Sequence, residues 1–300
     1  MSKPRLALLA GSLALAAAAC GGGASPSPST VPSGSPGPGS TPTVEPPTGE
    51  IDHPTGPTDV VLRLEEGGGF VPLGFLVTQA PTFTLYGDGT VVFRNQFAAP
   101  IPPGPVIRDV PFRAARLSEE QVQGLLMFAL TDGGLGVARA SYENPMIADA
   151  GTSIFAVNAG GLEKVVSVYA LGLDAPEVPD AAARSAFNRL AERLRDFDAG
   201  GSIETPIYDP ERYRGVLYEA FGGAAATPWP WPDIEPEDFV ALDDPERPWT
   251  GFPSRAMTAD EVAALELDDI EGGVQGLVLS LPDGTIHSLA LRPLLPDEEA

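Results

Sequence analysis

Between Val60 and Leu291 the apolar residues recur with two periods, and the switches between them mark the elements. Residues 60–64 form a short apolar run that predicts a first strand. Phe83, Leu85 and Tyr86 lead into Gly87-Asp88-Gly89 and then Val91, Val92 and Phe93. That pattern predicts a hairpin, because a primed turn needs a positive φ that glycine supplies. The same reasoning predicts a second hairpin from 152–157 and 165–171, around Asn158, Gly160 and Gly161. A third is predicted from 274–281 and 285–291, around Asp283-Gly284. Residues 100–111 are too rich in proline for a central strand and read as a loop or an edge.

The period changes to helical after Leu117. Ser118 and Gln121 fit a capping box, Leu117 and Val122 fit the hydrophobic staple around it, and Val122, Leu125, Leu126, Ala129 and Leu130 share one face. Asp132-Gly133-Gly134 ends that helix. Asp180 is positioned to cap a second helix, with Phe187, Leu190, Leu194 and Phe197 on its apolar face, Arg184, Arg189, Arg193 and Arg195 elsewhere, and Gly200-Gly201 as its stop. Thr258 with Glu261, inside Met257 and Val262, repeats the helix-start grammar. The expected fold class is therefore α+β, antiparallel hairpins packed with a few amphipathic helices. Residues 59–200 read as one compact unit, and 201–300 as a C-terminal α+β segment that either continues it or forms a second small domain. Helix followed by hairpin occurs twice, at 118–171 and 258–292; duplication and independent use of common rules both account for it.

The N-terminal residues obey neither period. Lys3 and Arg5 precede an uncharged run over 6–19, the layout of a signal peptide and too short to span a hydrocarbon layer. Ala17, Ala18, Ala19 and Cys20, followed by three glycines, resemble the lipobox of bacterial lipoproteins, with Ala17 where that family most often has leucine. The resemblance implies removal of residues 1–19, a diacylated Cys20 as the new N-terminus, and an anchor in the cell membrane with the chain on its extracytoplasmic face. Ordinary cleavage after Ala19 would instead leave a free thiol, reactive in an oxidising compartment; Cys20 is the one cysteine, so no intramolecular disulfide can form. Over 21–58, 30 of 38 residues are Pro, Ser, Gly or Thr, which predicts a disordered linker. The ending Leu291-Arg292-Pro293-Leu294-Leu295-Pro296-Asp297-Glu298 is similar to the endings of uncharacterised proteins of high-GC bacteria.

Charge narrows the partners. The chain carries 18 Lys and Arg against 41 Asp and Glu; without Lys3 and Arg5 the balance is 16 against 41, and Lys164 is the one lysine left. Such a surface repels nucleic acid and anionic headgroups. The partners left open are the membrane through the lipid, an envelope protein and a neutral glycan.

Candidate chemistry is sparse. His53 falls in the expected linker, where no partner would be held within reach of it. A two-residue turn at Asp283-Gly284 would set Ser280 opposite His287, a pairing of nucleophile and base type, although no Gly-x-Ser-x-Gly elbow accompanies it. Acidic clusters at Asp233, Glu235, Glu237 and Asp238, and at Asp268, Asp269 and Glu271, do not match a calcium loop. No catalytic residue, metal or cofactor is assigned. Trp229, Trp231 and Trp249, set among prolines in a long loop over 227–249, either offer rigid faces for binding or fold inward to pin the loop. A non-enzymatic binding module is the leading expectation, with a carboxylate-based hydrolase acting on an envelope glycan and a structural spacer as the alternatives.

Overall fold

A computed structural model describes residues 49–298 apart from 70, 72, 96, 98–103, 105, 174–176, 221–224 and 242–250. Residues 1–48, where the signal segment, Cys20 and most of the linker are expected, and Trp249 lie outside the described residues. Pro46–Ala300 is one compact unit, and the division expected near residue 200 falls between its two sheets.

The first sheet contains β1 (Val60–Gly68), β2 (Phe83–Tyr86), β3 (Thr90–Phe93), β5 (Arg113–Arg116), β6 (Ser141–Tyr142), β7 (Gly151–Ala159) and β8 (Leu162–Tyr169), in the order β5-β3-β2-β1-β7-β8-β6. Two helices, α2 (Glu119–Leu130) and α3 (Ala181–Arg195), cover one face of it, and a five-residue α1 (Leu73–Val77) lies between β1 and β2 in the chain. The second sheet contains β9 (Arg212–Glu219), β10 (Thr227–Pro228), β11 (Val240–Ala241), β12 (Pro253–Thr258), β13 (Val274–Ser280) and β14 (Ile286–Pro293), in the order β10-β13-β14-β9-β12-β11. Its seventh strand, β4 (Ile107–Arg108), comes from the proline-rich stretch in the first half of the chain and pairs with β13. The short α4 (Ala259–Ala263) follows β12. The architecture is α+β, as the periodicities predict.

Local grammar explains where these elements start. Ser118 Oγ accepts from Gln121 N and Gln121 Oε1 accepts from Ser118 N at 2.8 Å, so the predicted capping box closes both ways. Ser118→Ala should therefore cost about 1 kcal/mol, read as a lowered midpoint in urea titration. Thr258 and Glu261 repeat the box, with Met257 and Val262 buried beneath it. Val122, Leu125, Leu126 and Ala129 face Phe83, Leu85, Phe155, Val157, Val166 and Val168 across the first core. Burying each large side chain there contributes roughly 1.5–3 kcal/mol. Phe197 closes this core with its ring 5.1 Å from those of both Phe83 and Phe93.

Four expectations are corrected. Asp180 has φ of 58° and makes no capping hydrogen bond; its carboxylate pairs with Arg139 instead. Arg184 is fully buried, donating to the carbonyls of Tyr169 at 2.7 Å and Ala170 at 2.9 Å. It stands three residues before Phe187, and the helix carries it to the same side, where two strand-end carbonyls need a donor. Residues 49–58 do not continue as free linker: Ile51 exchanges two hydrogen bonds with the Gln123 side chain, at 2.8 and 2.9 Å, and Gly160 N donates to Asp52 O. His53 is consequently held, its Nε2 3.2 Å from Glu119 Oε1 and its Nδ1 2.7 Å from Pro54 O, with its side chain nearly covered.

The fourth correction concerns register. In the second hairpin Gly160 and Gly161 both have positive φ and make a two-residue turn, closing Ala159 against Leu162 and extending both strands beyond the expected 157 and 165. The third hairpin has no such two-residue turn. Leu281 N donates to Thr285 O at 2.8 Å and Gly284 N to Leu281 O at 3.0 Å, so the loop is Pro282-Asp283-Gly284. A two-residue turn would make Pro282 a closing residue, which has no N–H for the bond; taking Leu281 restores both bonds and leaves only Gly284 in the left-handed region.

Candidate functional site

The longer loop slips the strands by one residue. Ser280 now faces Ile286, and His287 faces Leu279. A slip of one sends alternate side chains to opposite faces of a sheet, so the expected Ser280–His287 pair does not exist. Ser280 Oγ donates to Thr227 O at 3.4 Å instead. On its other side His287 stands directly across from Glu219 of β9.

The two described tryptophans fold inward. Trp231 is 6% exposed and its Nε1 donates to Glu261 O at 2.7 Å; Trp229 is half-buried and donates to Ile234 O at 2.7 Å. Their rings meet edge to face with centroids 5.0 Å apart, and Phe239, Ile234 and Met257 belong to the same core. The Trp-Pro-Trp segment is thus a plug over one face of the second sheet rather than a displayed aromatic surface.

In the two acidic clusters one carboxylate and two main-chain carbonyls serve local geometry. Asp238 accepts from Glu235 N at 2.9 Å around the 3-10 turn Pro236–Asp238, and the carbonyls of Asp268 and Glu271 accept from Arg108 Nε and Phe112 N. Among the described residues no three His, Cys, Asp or Glu are gathered as a metal site would need. Among them, too, no helix is long and apolar enough to cross a membrane.

A cleft of about 620 Å³ opens where β9, β12 and β14 share one end. Leu217 and Glu219 line it from the face that carries the tryptophans, and Tyr218, Phe252 and Ile286 from the opposite face, so the cleft straddles the rim of the sheet. β12 stops pairing at Ser254, opposite Val216, which leaves the last three residues of β9 beside the opening. Pro236, Pro253, Thr285 and His287 complete the wall. Its floor is anchored: Tyr218 hydrogen-bonds to Ser288 and the Gly276 backbone, and burial pushes its phenol up. Trp229 lies just behind, its ring centroid 6.4 Å from that of His287. The wall is mainly apolar, with Glu219, His287 and the Tyr218 phenol as its ionisable side chains, an arrangement suited to holding a ligand by its apolar part.

Sequence reasoning missed this cleft because its walls come from 217–219, 236, 252–253 and 285–287, which no local pattern connects. The other concentration of charge is the C-terminal tail. Asp297 accepts from Arg63 at 2.6 Å and from the Tyr86 hydroxyl at 2.7 Å, both on the first sheet. Glu298 takes two hydrogen bonds from Arg292 of the second sheet, at 2.6 and 2.5 Å, and one from Leu295 N. Burial alone would raise the Glu298 carboxyl, but the Arg292 guanidinium holds it down to about 2. These groups are tied to one another and act as a clasp between the sheets. No family model matches the chain, and no curated protein or solved structure matches it.

Proposed function

We propose that this chain is a lipid-anchored protein of the bacterial cell envelope whose folded part is a non-enzymatic binding module. The cleft at the ends of β9, β12 and β14 carries the binding half of the proposal, being concave, largely apolar and within the roughly 300–1,000 Å³ that ligand sites span. The separation of Ser280 from His287 favours binding over nucleophilic chemistry there, since the serine and the imidazole point from opposite faces. The lipobox-like run ending at Cys20 carries the anchor, because two or more acyl chains hold a protein at a membrane without a spanning helix.

Two experiments test the two halves. The full chain expressed in a bacterial host should sediment with membranes and be released only by detergent, and Cys20→Ser should shift it to the soluble fraction or the medium. Unaltered protein found in the medium, beginning at residue 20 and without lipid, would end the anchor proposal. For the cleft, Ile286→Arg places a long charged side chain in the opening at a position already 48% exposed, so the fold is spared. Retention of the purified chain on envelope fractions should fall at least about tenfold, a loss of about 1.4 kcal/mol. Unchanged retention would remove the cleft from the proposal.

A further inference from the structure

We infer that the cleft takes an amphiphilic cation, a ligand with an apolar body and a protonated amine or guanidinium head. This rests on the binding proposal above and adds the chemistry of the ligand. The interior supplies apolar walls, Leu217, Phe252, Pro253 and Ile286, with no charge among them. Acidic residues stand in the wall and next to it in the chain. Glu219 is exposed on β9; Glu235 and Glu237, both exposed, flank the lining residue Pro236; Asp283 stands in the exposed turn that leads into Thr285. Backbone and side-chain hydrogen bonds from Thr285 hold the Asp283 carboxyl below its ordinary range, so it stays charged. Against these four acids His287 is the basic side chain in the wall.

The field at the mouth therefore selects by sign. An anionic head would enter against the Glu219 carboxylate and the acids that neighbour the lining residues in the chain, on a protein of net charge −23. A neutral head gains nothing from them. A cationic head placed at Glu219 meets opposite charge while its body displaces water from the apolar walls. Each of these charge terms is small at an exposed site, so the expected discrimination is about fivefold rather than a thousandfold.

Three probes of one shape separate the terms: 4-phenylbutylammonium, 4-phenylbutanol and 4-phenylbutanoate, titrated into the detergent-solubilised full chain by calorimetry and by the change in total tryptophan emission. The amine should bind about fivefold more tightly than the alcohol, and the carboxylate most weakly. Glu219→Gln should bring the amine toward the alcohol without changing the alcohol, and raising salt to about 0.5 M should do the same. Equal binding of amine and alcohol, lost together in Ile286→Arg, would overturn the cationic head and leave the cleft standing. Binding by neither, or binding unaffected by Ile286→Arg, would overturn both.

Discussion

Replacing Glu298 with alanine is expected to lower the thermal midpoint of the folded part by roughly 10 °C. The reason is the guanidinium left behind. Arg292 is 3% exposed, and its Nε already lies buried without a hydrogen-bond partner. Glu298 provides the two short bonds that compensate the charge, and Arg214, 4.0 Å away, adds a second cation to the same spot. Removing one member of such a buried pair typically costs about 3–5 kcal/mol, whereas removing both costs far less. The double variant Arg292→Leu/Glu298→Leu should accordingly be more stable than Glu298→Ala, a result that calorimetric melting of the three proteins would show directly. A double variant as unstable as the single would mean that the tail acts through packing of Leu294 and Leu295 and not through charge.

The same pair fixes a pH dependence. In the unfolded chain Glu298 titrates near 4.5; in the folded one it is held down to about 2. A depressed carboxyl contributes its stability fully above the unfolded value and loses it as pH falls through the folded one. Between about pH 4.5 and 2 the unfolding free energy should thus drop by on the order of 3 kcal/mol on account of this group. Glu298→Gln should flatten that part of the curve and leave the curve above about pH 5 parallel to wild type. Burial opposes the shift and Arg292 is its main source, with Leu295 N and Arg214 adding to it, so Arg292→Met should strongly weaken the dependence.

How much of this was legible beforehand depends on how local the determinant is. The helix starts at Ser118 and Thr258 were readable because a capping box is complete within four residues. The hairpins were readable because glycine marks the positive φ, yet the register of the third turned on whether proline could close the turn, a question of one missing N–H. Arg184 was set apart from the apolar face by its charge, although its spacing from Phe187 already placed it there. The pairing of β4 with β13 and of Arg63 with Asp297, 234 residues apart, had no sequence signal, since long-range contacts arise from the packing of completed elements. The cleft belongs to that class.

The tryptophan plug follows the inward-folding alternative that the sequence offered, and it yields the second large effect. Trp231→Ala should cost about 3–5 kcal/mol, seen as a fall of roughly 10 °C in the melting midpoint. The indole is almost wholly buried against Met257 and Leu217, and its Nε1 satisfies the Glu261 carbonyl that ends the first turn of α4. Alanine would open a cavity and orphan that carbonyl at once. Trp231→Phe separates the two losses, because a phenyl ring keeps much of the packing while the carbonyl goes unpaired, a penalty of about 1–3 kcal/mol. Ligand binding at the cleft supplies the decisive contrast. With Trp231→Phe folded at low temperature, affinity for 4-phenylbutylammonium should match wild type, because the ring lies in the core and outside the lining. A variant that stays fully stable but loses the ligand would return Trp231 to the recognition surface and remove it from the core.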